Sequence, residues 1–331
     1  MSDNDPLWGS TMDQNLLPTP STDSALATRL AEWSSAARGA YAVNTERALR
    51  VDSAAFTAWC SGAGLSALPA VPTTVSDYLR SENEAGKAVA TIRRRAATIA
   101  RLHRAAGLPS PCDSEIVRLT LKAIARERGT QQRQAAPLTE RDAHRISDRL
   151  LGDGARIKDL RDIALLLVGK DLFARASELV ALTVDAIRYC EEDGTANVAL
   201  RRRKTCTEAQ DCLLGPDAVT ALRRWLVAAK ISAGAIFQSI TKGGTVTGIP
   251  LSVRDVSRIL KGLAVRAKVD VAGISSHSLR VGTAVDCVAA NIDAASIMQA
   301  GGWTSIRMIA RYTSKLAAKR GAIARLHKLG G

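Results

Sequence analysis

One stretch narrows the possibilities more than any other: from Ser275 to Ser314 the chain sets out His277, Arg280, Gly301-Gly302, Trp303, Arg311 and Tyr312 in that order. Three residues apart, His277 and Arg280 share one face of a helix and can reach a single ligand together. The glycine pair predicts a helix stop that presents Trp303, and a new short helix starting near Thr304 or Ser305 carries Arg311-Tyr312. A guanidinium is a permanently charged fork that fits phosphate oxygens, an imidazole takes up protons near neutral pH, and a phenol is a nucleophile once it loses its proton. The combination points to phosphate chemistry.

The balance of charge agrees. Lys and Arg number 46 against 32 Asp and Glu, a formal net charge of +14 that points to a polyanionic partner. A merely basic soluble protein would show the same total, so the weight falls on where the charges stand. With 331 residues and 46% hydrophobic content, the chain is long enough for two domains, each with its own core. Cys60, Cys112, Cys190, Cys206, Cys212 and Cys287 are scattered without metal-ligand spacing, which fits reduced thiols in a cytoplasmic protein. No apolar run is long enough for a membrane span, and residues 1–25, rich in Ser, Thr, Asp and Pro, read as a disordered leader rather than a signal peptide.

Residues 26–128 read as a helical, DNA-binding domain. A helix is expected over Asn44 to Gly62, capped by Asn44 or Thr45, and a shorter one over Thr74 to Asn83. From Ala88 to Ala106, Val89, Ile92, Ala96, Ile99 and His103 fall on one face, while Arg94 and Arg101 project from the other. That helix has five arginines and no acidic residue of its own. A solvated face normally mixes signs, so the arginine front is shaped for a DNA groove.

Residues 129–137 are polar, contain Gly129 and end at Pro137, which marks a linker. A second domain, residues 138–331, opens with a helix start at Leu138-Thr139-Glu140 and a buried helix over Asp159 to Val168. Arg175 and Glu178 stand at ion-pair spacing between apolar flanks. The only strand-like region is Thr183 to Tyr189, Asn197 to Arg203 and Gln210 to Leu214, a small antiparallel sheet with Lys204 in or beside its second turn, at the end of the run Arg201-Arg202-Arg203-Lys204. Helices follow over Pro216 to Lys230 and Leu251 to Lys268, the latter with Arg254 and Arg258 as another basic front.

The order Arg175, Lys204, His277-x-x-Arg280, Trp303, Tyr312 resembles the active-site set of the tyrosine recombinases. The segments HSLRVGTA and IMQAGGWT resemble a branch of that family with tryptophan where most members have histidine. Together with AWC, TIRRR and LHRAAGLPSPCDS, the likeness covers nearly everything after the leader. It implies a mainly α fold with a small antiparallel β-sheet in the catalytic domain, arranged as a two-domain clamp on double-stranded DNA.

The resemblance also implies the roles. Tyr312 attacks the scissile phosphorus with His277 assisting, Arg175 and Arg280 clamp the non-bridging oxygens, Lys204 protonates the leaving oxygen, Trp303 positions, and Glu178 supports the site from behind. Protomers bind inverted half-sites and assemble as a homotetramer on DNA, being monomers when free. Base and phosphate contacts are expected from Arg47, Ala48, Thr91, Arg93, Arg94, Arg101, Arg201, Arg254 and Arg258. Because arginine favours guanine edges, a distinct target sequence is expected. Ile323 and Leu326 are expected to dock the terminal helix on a neighbouring protomer, with packing on its own domain as the alternative.

No cofactor or metal is expected: GAGLSAL and KGGTVTG lack the ending of a phosphate-binding loop, and clustered carboxylates are missing. Two other readings stay open, a DNA-binding protein of this fold that does not cut, and a strand transferase of the type IB topoisomerase kind.

Overall fold

The computed structural model describes residues 24–131, 134–152, 154–200, 202 and 209–320, with residues 24–25 and 314–320 described by their backbone alone. Residues 1–23 of the expected leader, Arg201, Lys204, Cys206, Ile323 and Leu326 lie outside the described residues, while Ser24 and Ala25, expected in the leader, open the first helix. The chain divides into two compact units, Met1–Gln132 and Arg133–Gly331. No described helix is long and apolar enough to cross a membrane.

The first unit is helical throughout: α1 (Ser24–Ala37), α2 (Val43–Gly62), α3 (Pro72–Glu84), α4 (Val89–Ala105) and α5 (Glu115–Arg128). The periodic face of α4 is buried as its sequence demands, and Ile92, Ala96 and Ile99 pack with Phe56, Tyr78, Leu79 and Val117. His103 closes that face as a connector. Its Nε2 accepts the Ala70 N–H at 2.9 Å, which leaves Nδ1–H to donate to the Ile99 carbonyl at 2.8 Å. Burial holds its pKa below the ordinary histidine value, in keeping with this neutral form.

Two expectations for this unit need correction. The cap of α2 is Ala42, so Asn44 and Thr45 sit inside the first turn and the helix starts without a side-chain cap. The arginine face of α4 is also less free of acids than its own sequence shows. From α2, the buried Asp52 meets Arg94 Nη1 at 2.9 Å, and from α3, Glu82 meets Arg95 Nη1 at 2.7 Å. Tertiary neighbours supply what the helix lacks.

The second unit starts with α6 (Glu140–Leu150), held by a capping box in which the Thr139 hydroxyl and the Asp142 carboxylate exchange bonds with each other's backbone N–H. Next come the core helix α7 (Ile157–Asp171) and the short α8 (Ala176–Val180). Strands β1 (Ile187–Tyr189), β2 (Ala196–Leu200) and β3 (Gln210–Leu214) form the antiparallel sheet, with Ile187 facing Val198 and Val198 facing Cys212. A second antiparallel pair, β4 (Gln238–Ile240) and β5 (Val246–Pro250), stands where no strand is predicted, on either side of Gly243-Gly244. Between and after them run α9 (Pro216–Ala229), α10 (Val253–Arg266), α11 (Ser278–Ala289), α12 (Ala294–Gly301) and α13 (Arg307–Arg320). The last helix starts later, and is longer, than the short helix predicted from Thr304 or Ser305.

The entry to this unit is tied directly to α11. The Leu138 N–H donates to the Ser278 carbonyl at 3.0 Å, and the backbones approach so closely that a Cβ on Gly282 would lie 1.8 Å from the Leu138 oxygen. Beneath this crossing the buried Lys170 ammonium donates to the Leu138 carbonyl at 3.2 Å and to Asp286 Oδ2 at 2.8 Å. The helix that carries Arg280 is thereby fixed at its start.

Candidate active site

The clustered side chains hang on three helix ends and the second turn of a fourth helix. Arg175 is the residue before α8: its backbone N–H donates to Glu178 Oε2 at 2.7 Å and its Nη1 to Oε1 at 2.5 Å. Glu178 is buried, whereas the Arg175 side chain stays 41% exposed, so the pair is anchored from below and open above. His277 is the residue before α11, and Arg280 lies in that helix's first turn. The glycine pair ends α12 as its sequence demands. Gly302 takes the left-handed conformation at φ +60, its N–H returns to the Gln299 carbonyl, and the Trp303 N–H returns to Met298. Tyr312 comes from α13 and is buried.

These elements bring five of the six expected catalytic residues together, with Lys204 lying outside the described residues. Tyr312 Oη is 2.6 Å from His277 Nε2. The Trp303 ring packs against Tyr312 at 5.4 Å between centroids and edge-on to Phe173 at 5.7 Å. Arg280, only 1% exposed, lies over the Trp303 ring at 5.2 Å. Its Nη1 donates to the Phe173 carbonyl and its Nη2 to the Gly301 carbonyl at 2.7 Å, while its buried Nε has no acceptor among the described residues.

The electrostatics follow from this crowding. Burial first, then Arg175 and Arg202, brings Arg280 down to about 10, so it remains a cation at neutral pH. His277 is held below its ordinary value by desolvation of the ring and by Arg280, Arg175 and Arg311, so its neutral form prevails. A neutral imidazole beside a phenol can accept its proton, and a buried guanidinium that stays charged can hold phosphate oxygens.

Sequence reasoning missed Arg202, which turns inward from the basic run to the carbonyls of Leu172 and Ala300. The only sequence signal was its place two residues before Lys204. The expected DNA contacts lie elsewhere in each unit. In the first, Arg47 and Arg93 are exposed, Ala48 and Thr91 half-buried, and Arg101 lies over the Tyr41 ring at 4.9 Å. In the second, Arg254 is exposed and Arg258 pairs with Asp255 at 2.5 Å.

The sequence profile of the phage integrase family matches residues 137–319, a span that contains every residue of this cluster. The chain belongs to that family. It is 31% identical over 278 residues to the integrase/recombinase xerD homolog of Selenomonas ruminantium, covering 81% of each chain. To recombinase Cre of Escherichia phage P1 it is 29% identical, over 96% of this chain and 97% of that one. In fold it is similar to the XerH site-specific recombinase solved with palindromic difH substrate, with a TM-score of 0.65 at 14% identity, covering 94% of this chain and 92% of that one. As a member of the phage integrase family, this tyrosine recombinase is an enzyme of site-specific DNA strand cleavage and rejoining.

Proposed function

We propose that Tyr312 is the nucleophile of this recombinase and that the cluster around it carries both halves of a strand exchange. The observation behind this is the 2.6 Å contact between Tyr312 Oη and the neutral His277 beside the buried cation Arg280. In cleavage, the Tyr312 oxygen bonds to the scissile phosphorus as its proton passes to His277 Nε2. The bond from phosphorus to the 5′ oxygen breaks, and Lys204 gives that oxygen a proton. Rejoining reverses each transfer: a 5′ hydroxyl of another strand attacks the phosphotyrosine, and Tyr312 leaves with a proton returned by His277.

Arg175 and Arg280 hold the non-bridging oxygens. Glu178 fixes Arg175, and Trp303 packs between Arg280 and Tyr312, donating one indole N–H while moving no proton. The phosphoester bond is conserved in the tyrosyl linkage, so no nucleotide or metal enters the scheme.

The partner is double-stranded DNA with inverted half-sites, and monomers assemble there as a tetramer that passes through a Holliday junction. Arg47, Ala48, Thr91, Arg93, Arg94, Arg101, Arg201, Arg254 and Arg258 make the DNA contacts, Ile323 and Leu326 dock on the neighbouring protomer, and the work takes place in the cytoplasm at the nucleoid. Tyr312→Phe should bind the target as the parent does and form no covalent adduct on a denaturing gel. An adduct of normal yield would overturn the assignment. Lys204→Ala should be rescued by a bridging 5′ phosphorothiolate, whose thiolate leaves without a proton; no rescue would remove its role as acid.

A further inference from the structure

We propose that Arg202 is a positioning residue for strand cleavage that acts through Arg280 rather than on DNA, an inference that rests on the reading of Arg280 as the phosphate clamp. A basic run such as Arg201 to Lys204 ordinarily forms a solvated or DNA-facing edge. Arg202 does neither. Its Nη2 donates to the Leu172 carbonyl at 2.8 Å and the Ala300 carbonyl at 2.5 Å and touches Cys212 Sγ at 3.3 Å, while Nη1 reaches the Phe173 carbonyl at 3.5 Å.

Arg280 uses the next position along each of the same two segments, Phe173 and Gly301. The two guanidiniums therefore bridge one gap, between the end of α7 and the end of α12. A helix end leaves its last carbonyls without partners and carries the negative pole, so it favours a cation with several N–H groups. At the end of α12 the assignment is complete: Met298 accepts from the Trp303 N–H, Gln299 from the Gly302 N–H and from Gln210, Ala300 from Arg202, and Gly301 from Arg280.

Two neighbours show that the arrangement is built around Arg202. Phe173 is held at φ +46, a left-handed conformation unfavourable to a bulky residue, at the point where both arginines grip the chain. A Cβ on Gly302 would come within 2.7 Å of Arg202 Cδ. Without Arg202, the Leu172 and Ala300 carbonyls lose these donors. Among the described residues Arg280 would then be the only guanidinium spanning the gap, as well as the clamp on the phosphate. A lysine, with one compact ammonium, can replace at most the Leu172 and Ala300 contacts made by Nη2 and loses the Phe173 contact made by Nη1.

The test uses the full chain on a target recovered by selection from random DNA. Single-turnover cleavage at saturating DNA is compared for the parent, Arg202→Met, Arg202→Lys and Arg280→Ala on two substrates. One has an ordinary scissile phosphodiester; the other has a methylphosphonate, where a neutral methyl replaces a non-bridging oxygen and the need for a cation falls. Arg202→Met should slow cleavage of the phosphodiester roughly tenfold or more with unchanged DNA affinity, since small misplacements are costly in a site of this kind. On the methylphosphonate it should approach the parent, with Arg202→Lys between the two.

Equal losses on both substrates would make Arg202 a general structural residue, and a loss confined to DNA affinity would make it a DNA contact. Either overturns the proposal. If Arg202→Met does not melt cooperatively, Arg202→Lys alone decides by the same ratio. Arg280→Ala separates the failures: an equal loss on both substrates with that variant would overturn the clamp reading itself, and this proposal with it.

Discussion

Two arginine clusters in this molecule, one in each unit, treat the side chain in opposite ways. On α4 of the first unit, Arg94 and Arg95 meet the carboxylates of Asp52 and Glu82, and the Arg94 side chain remains 44% exposed. In the second unit, Arg280 and Arg202 are turned onto backbone carbonyls at helix ends, and the nearby carboxylate of Glu178 is engaged with Arg175. A guanidinium on a carboxylate is largely neutralised. One on a carbonyl is hydrogen-bonded yet keeps its charge, so Arg280 remains a cation for a phosphate and adds to the lowering of His277, which burial of the ring begins. The number of arginines therefore says less than the class of their partners.

The largest effect expected from this contrast is at Arg280. Arg280→Ala should reduce single-turnover cleavage roughly 10²–10³-fold, about 3–4 kcal/mol, as for other preorganised donors at developing charge. A loss below about tenfold would show that carbonyl-held charge is not what the reaction uses. Asp52→Ala should do the reverse, costing about 1–2 kcal/mol of stability as the buried Thr98 hydroxyl loses its acceptor and half-exposed Arg94 its partner while Arg95 keeps Glu82, with cleavage per bound complex unchanged. Thermal melting set beside single-turnover rates checks both halves.

A pH profile sharpens the comparison further. Because its folded value is depressed, His277 is already neutral at pH 7, so adduct formation should be level above about pH 6.5 and fall only in more acidic solution. The same depression stabilises the fold above the unfolded histidine value, a contribution lost as pH falls through the folded one. His277→Gln should remove the acid limb from the rate profile, and an unchanged limb would place the base elsewhere. The smallest effect lies on α4. Arg93→Ala should lower the salt slope of DNA binding by about one, whereas Arg94→Ala should lower it less, its charge being already offset by Asp52. Equal slopes would show that the Asp52 pairing opens on DNA.

Long helices were legible because their apolar residues recur at helical spacing, and Val89, Ile92, Ala96 and Ile99 are buried as that spacing requires. The pair β4–β5 was not, since β5 is almost wholly exposed and its residues carry no burial alternation. Local pattern also could not reveal Asp52 beneath Arg94, because the partner comes from another helix and is fixed by packing alone. Arg202 was hidden for the complementary reason: among charged neighbours a half-buried arginine that turns inward looks like a solvated one. The His277 to Tyr312 cluster was legible from residue types in order, while the 2.6 Å contact and the helix ends that hold Arg280 belong to the fold.

The central claim is that Tyr312, and no other tyrosine, takes the DNA strand. The chain has four, Tyr41, Tyr78, Tyr189 and Tyr312, so the linkage can be mapped without ambiguity. A substrate nicked beside the cleavage point traps the covalent complex, and mass spectrometry of its peptides locates the nucleotide. The account predicts a phosphotyrosyl linkage to the 3′ end at Tyr312 alone; a linkage at Tyr41, Tyr78 or Tyr189 would contradict it.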